Sequence, residues 1–167
     1  GHSMGGAVSL MMARRHPDRV RSLSLLCSAG LGGEINGGYI DGFVAAGSRN
    51  ALKPVLADLF ADSGLVTRQL VDDLLKYKRL EGVGAALTTL AGKLFAGGRQ
   101  AVVLADALPG LKQPVLLVWG EQDRIIPVAH ANALSGRCRV EVLPGSGHMV
   151  QMEAANEVNR AIARFVG

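Results

Sequence analysis

Apolar residues recur along this chain in two rhythms. From Met4 to His16 they fall at helical spacing, and "HPDRV" ends that stretch through Pro17. The run Leu23–Cys27 is short, continuously apolar and followed by Gly30, which predicts a parallel strand buried on both faces. A helix leading straight into a buried strand is half of a βαβ unit. Strand character returns in "QPVLLVWGEQD", where Pro114 opens the run, Val115–Trp119 is buried and Gly120 closes it. "IPVAHANAL" predicts a short helix and Arg139–Leu143 a third strand. The final helix, "EAANEVNRAIARFV", is expected to present Val158, Ile162, Ala163 and Phe165 to the core.

Between the first two strands the rhythm changes. Residues 31–108 show no strand-like alternation. "YIDGFVAAG", "LKPVLADLFAD", "VTRQLVDDLLKYKRL" and "VGAALTTLAGKLF" space their apolar residues by three and four. The pattern predicts an α/β core from residues 1–30 and 109–167, interrupted by a cap of about four helices over 31–108. Within that cap Phe43, Leu56 and Phe60 are candidate walls of a substrate pocket, with packing in the cap's own core as the favoured role for any one of them.

Composition narrows the class. The chain has 167 residues, 49% of them apolar and 19% charged, as in a globular protein. Aromatic residues make up only 4%, so Leu, Val and Ala must fill the core. No apolar run approaches the length of a membrane span, and none reads as a signal peptide. The net charge of +4 is dispersed apart from Arg14, Arg15, Arg19 and Arg21, with no interleaved aromatic residues, so neither nucleic acid nor membrane is expected as a partner. Two cysteines make no disulfide framework, and Cys27 is expected to be inert core; the expected compartment is the cytoplasm. No Cys/His set has zinc spacing, and no metal is expected.

The candidate chemistry lies in three loops. Gly1-His2-Ser3-Met4-Gly5 matches G-x-S-x-G, in which a serine sits on a sharp strand-to-helix turn with its Oγ exposed. The N–H of Met4 would then serve an oxyanion. Taken alone, the same residues also fit a vector-derived leader with Met4 as the start. Asp123 follows the second strand, where an acid can orient a histidine, and His148 follows the third. The order Ser3, Asp123, His148, with the histidine 25 positions after the acid, decides for the nucleophile turn. His2 is read as packing beside the turn or touching substrate. Met149, Met152 and Trp119 are read as core or pocket wall, and His16 and His130 as surface or capping residues. Asp72 and Asp73 are read as a solvated helix face.

These residues resemble the α/β-hydrolase superfamily along the whole chain. "GHSMGGAVSL", "AGLGGEINGGYIDGF", "LVDDLLKYKRL", "VLLVWGEQDRIIP" and "GSGHMVQME" resemble more particularly the hydrolase-like domains of acetoin dehydrogenase E2 components, which are dihydrolipoamide acetyltransferases. The resemblance implies Ser3 as nucleophile, His148 as general base and then acid, Asp123 as its orienter and Met4 N–H as one oxyanion donor. Beside these roles, His2, Phe43, Phe60 and Met149 are candidate substrate contacts. The resemblance also implies acyl transfer from a dihydrolipoyl group to coenzyme A, with no cofactor held by this chain and other subunits of that complex as partners. Two alternatives stay open: an esterase with water as acceptor, and a non-catalytic fragment. Domains of this family place strands before the nucleophile turn, so the chain is expected to be the C-terminal part of a larger protein. Alone, it is expected to self-associate through its open sheet edge.

Overall fold

The computed structural model describes residues 1–167, residue 96 by its backbone alone. Helix α1, Met4–Arg15, runs from the serine turn and buries Gly6, Leu10 and Ala13. Strand β1, Leu23–Leu26, follows, then helices α2, Gly37–Ala45, α3, Arg49–Ala57, α4, Arg68–Lys78, and α5, Val83–Leu94. Strand β2, Val115–Gly120, short helix α6, Ala129–Asn132, strand β3, Arg139–Leu143, and helices α7, Val150–Glu153, and α8, Ala155–Val166, complete the chain.

The three strands form one parallel sheet in the order β1-β2-β3, as the apolar runs predict. Every residue of β2 is buried, which fits its central place and its unbroken "VLLVWG". His2 adds a single parallel bridge to Leu26 on the free side of β1, with Leu26 N–H on Gly1 O at 2.9 Å and Ser3 N–H on Leu26 O at 3.0 Å. Helix α8 turns Val158 and Ala161 into the core and packs Ile162 and Phe165 against it. Ala163, expected on that face, is exposed, because the buried stripe runs 158, 161, 162, 165.

The inserted segment carries the expected four helices and a small core of its own. Ala46, Leu52, Leu56, Phe60, Val66, Val71 and Leu75 form a cluster separate from the one around the sheet. Thr67, Ser48 and Asn36 cap their helices by accepting from Leu70, Ala51 and Tyr39 N–H groups. Lys78 closes the C-terminal end of α2, reaching the carbonyls of Phe43 and Val44 and lying 4.7 Å from the Phe43 ring centroid. Two antiparallel arms join this segment to the sheet. Gln100 N–H donates to Gly33 O at 2.8 Å, Leu104 N–H to Gly30 O at 2.6 Å, and the Gln100 side chain bonds Gly30 N–H and Glu34 O.

No helix among the described residues is long and apolar enough to cross a membrane.

Candidate active site

The serine turn is strained in the way a G-x-S-x-G loop requires. Ser3 has φ 51° and ψ −125°, a backbone conformation that L-residues avoid. It is held there on both sides, its N–H by Leu26 O and its carbonyl by Ala29 N–H at 3.0 Å. Ser3 precedes α1 yet makes no capping bond to it, so Oγ is not spent on the helix. Met4 is the first residue of α1, and its N–H has no acceptor within the helix. The crowding that demands glycine falls on Gly1 and Gly6. A Cβ at Gly6 would meet the Ser28 side chain, and one at Gly1 the carbonyl of Gly5. Gly5, the second glycine of the pattern, has open space around it.

Asp123 and His148 meet directly. Asp123 Oδ2 lies 2.8 Å from His148 Nδ1, with the two side chains 0% and 3% exposed. Asp123 Oδ1 accepts from the N–H groups of Ile125 at 2.8 Å and Ile126 at 2.9 Å. Three bonds satisfy a carboxylate that would otherwise be costly to bury. Nδ1 is thereby fixed, and His148 Nε2 has no partner among the described residues. Ser3 Oγ makes no hydrogen bond to it, or to any other group described; such bonds are often loose before substrate arrives. The link between the serine turn and the histidine is His2. Its Nε2 is 2.8 Å from His148 O, and the two rings lie 4.8 Å apart between centroids. Burial, and next the neighbouring His148, hold the His2 imidazole below its ordinary pKa.

Cys27 stands at the end of β1 with φ 42°, and its Sγ lies within 4.8 Å of ligand atoms of both Asp123 and His148. Burial, and then the Asp123 charge, push its thiol pKa strongly upward. A protonated thiol beside an Asp–His pair already bonded to itself is not a ready metal donor set.

The structure sorts the remaining candidates. Phe43 lines a cleft of about 110 Å³ with Met4, Tyr39, Ile40, Leu87 and Phe95. Burial pushes the Tyr39 phenol up to about 12. Phe60, 1% exposed, is not a pocket wall but part of the cap's own core, together with Leu56. Met149 is half-buried against the same cluster, and Trp119 is core, with its indole N–H on Ile126 O at 3.0 Å. Met152, read as core or wall, is exposed because α7 turns it outward. His130, expected at the surface, is buried, and its Nε2 meets Glu34 Oε2 at 2.8 Å, pinning an arm of the cap to α6. Asn36 and Glu153 carry no signal in the apolar pattern, yet they touch the loops of Asp123 and His148. Asn36 bonds Arg124 O and Ile125 O beside Asp123, through its side chain and its N–H.

The family model for the alpha/beta hydrolase fold matches residues 1–155. The dihydrolipoyllysine-residue acetyltransferase component of the acetoin cleaving system of Pseudomonas putida is 55% identical over 166 residues, covering 99% of this chain and 44% of that protein. The component of the same name from Cupriavidus necator is 50% identical over 167 residues, covering 100% of this chain and 45% of that one. The chain thus spans less than half the length of these relatives. Among solved structures, a meta-cleavage product hydrolase from Pseudomonas fluorescens superposes with a TM-score of 0.86 at 22% identity, covering 99% of this chain and 62% of that one.

Proposed function

The chain belongs to the α/β-hydrolase fold family and is an enzyme of that fold; from that premise we propose that it carries a serine acyl-transfer site built on Ser3, Asp123 and His148. The observation that carries the reading is the buried 2.8 Å pair of Asp123 and His148, joined through His2 to the neighbouring serine held at positive φ. Ser3 Oγ attacks the acyl carbonyl while His148 Nε2 takes its proton. Asp123 keeps the Nδ1 proton on the imidazole and balances the charge the ring acquires. The oxyanion develops beside Met4 N–H at the positive end of α1. His148 returns the proton to the departing group, and the acyl group rests on Ser3. An acceptor then gives its proton to His148, attacks, and frees the serine.

The two relatives named as acetyltransferase components favour an acyl-dihydrolipoyl donor and the thiol of coenzyme A as acceptor. Their place in an acetoin cleaving system favours the other subunits of such a system as partners. The apolar cleft beside Met4, with Phe43 in its wall, supports an acyl pocket under α2 and α5. The test is a comparison of the full-length protein with its S3A and H148A variants on an acyl thioester, with and without coenzyme A. The reading expects acyl-coenzyme A to form and both variants to lose at least about 10³-fold in rate. Turnover surviving in S3A would overturn it. Acyl release to water alone, unchanged by coenzyme A, would replace the transferase with an esterase.

A further inference from the structure

We propose that Glu153 is a positioning residue of this site, tying the loop of His148 to the cap; the proposal rests on the serine reading above. The two oxygens of its carboxylate serve different parts of the molecule. Oε2 accepts from Gly147 N–H at 2.7 Å, immediately before His148. Oε1 accepts from Ala61 N–H at 2.7 Å, in the segment that follows α3. The two backbones touch around this bridge. Met149 N–H donates to Leu59 O at 3.1 Å, and a Cβ on Gly147 would come within 2.7 Å of Ala61 N. Gly147 is therefore glycine because the cap leaves no room for a side chain.

His148 has backbone anchors before, at and after itself: Gly147 N–H on Glu153, its own carbonyl on His2, and Met149 N–H on Leu59. Of these, the bond to Glu153 is the one made to a side-chain carboxylate, and bonds to a charged acceptor are about twice as strong as neutral ones. Other glutamates here turn their charge on side chains, Glu34 on His130, Glu141 on Arg139 and Arg164, Glu157 on Arg160. Among the described residues Glu153 makes no ion pair. Its charge goes wholly to two backbone N–H groups across the joint between cap and catalytic loop. A shift of the cap at Ala61 is thus carried to the peptide that sets the His148 ring against Asp123, and misplacement by about 1 Å can cost about 10²-fold in rate.

The test is E153Q in the full-length protein, with S3A measured beside it. Glutamine keeps the shape but leaves an NH2 facing one of the two N–H groups. The expected result is a fall in kcat of about tenfold or more, with KM changed less than kcat. The Nδ1 proton resonance of His148 should move and amide exchange at Gly147 and Ala61 should quicken. Wild-type kcat with an unmoved Nδ1 resonance overturns the proposal, provided S3A is inactive. A variant that does not fold overturns it too, since Glu153 would then serve stability rather than position. Activity retained in S3A instead removes the serine reading on which the proposal stands.

Discussion

The sheet and the cap draw on the same apolar residue types but bury them differently. All six residues of β2 are buried, and the cluster around the sheet joins α1, all three strands and α8. In the cap, α3 and α4 share a small core, while no residue of α2 or α5 is more than partly buried. Their apolar faces line the cleft beside Met4 instead. The loops of Ser3, Asp123 and His148 leave this packed base and are held by hydrogen bonds to it. The cap reaches the loops of Asp123 and His148 through Asn36 on Arg124 O, Ala61 N–H on Glu153, and Leu59 O on Met149 N–H. On the acyl-transfer reading, the base carries the chemistry and the cleft under the cap the choice of acyl group.

The largest test of that separation uses two leucines that are both 0% exposed, Leu117 in β2 and Leu56 in α3. Leu117→Ala is expected to cost about 2–5 kcal/mol of global stability. Leu56→Ala is expected to free cap amides to exchange while sheet amides keep most of their protection. Denaturant unfolding with residue-resolved hydrogen exchange reads both. A single transition, with equal loss in the two variants, breaks the comparison.

The serine turn gives a smaller contrast. Gly6→Ala drives a methyl into Ser28 and should cost about 1–3 kcal/mol. Gly5→Ala meets no neighbour and should change thermal stability little. Equal effects at the two glycines would remove the crowding argument for the turn.

Phe43→Ala should lower the melting temperature less than Leu56→Ala does, while altering the relative rates on short and long acyl thioesters by up to about 10–200-fold, the range that small changes in an apolar pocket allow. Unchanged preference would make that cleft a packing defect of the cap.

The smallest effect concerns pH. His2, on the base, has its folded pKa depressed by burial, so its contribution is full above the ordinary value of about 6.5 and is lost as pH falls through the depressed one. Glu34, on the cap's arm, is depressed by its bond to His130. Its contribution is full above its ordinary value of about 4.3 and fades lower still as acid is added. A stability profile should therefore soften at the base before the arm, and replacing His2 with Asn should flatten the upper part of the slope.

Much of the base was readable from the sequence because its rules are local. Unbroken apolar runs mark β1 and β2, and Asp123 and His148 announce themselves by following strand ends. The cap was readable as helices but not as surfaces. Three-and-four spacing treats Phe43 and Phe60 alike, and nothing local tells a residue that fills the cap's core from one that lines a cleft. His130 looked like a surface residue because its partner, Glu34, lies 96 positions away. Glu153 gave no sign because its partners are backbone N–H groups, one of them 92 residues distant. The turn's glycines were legible as a pattern, though crowding selects Gly1 and Gly6 rather than Gly5.

The account stands on Ser3 as the atom that receives the acyl group. Mixing the full-length protein with a slowly turned-over acyl thioester, quenching in acid and mapping peptides by mass tests this directly. The account predicts one added acyl mass on the peptide that contains Ser3, absent in S3A and accumulating when His148 is replaced only at a greatly reduced rate. Steady turnover with no acyl group on that peptide, or with the group on Cys27 or another residue, would contradict it.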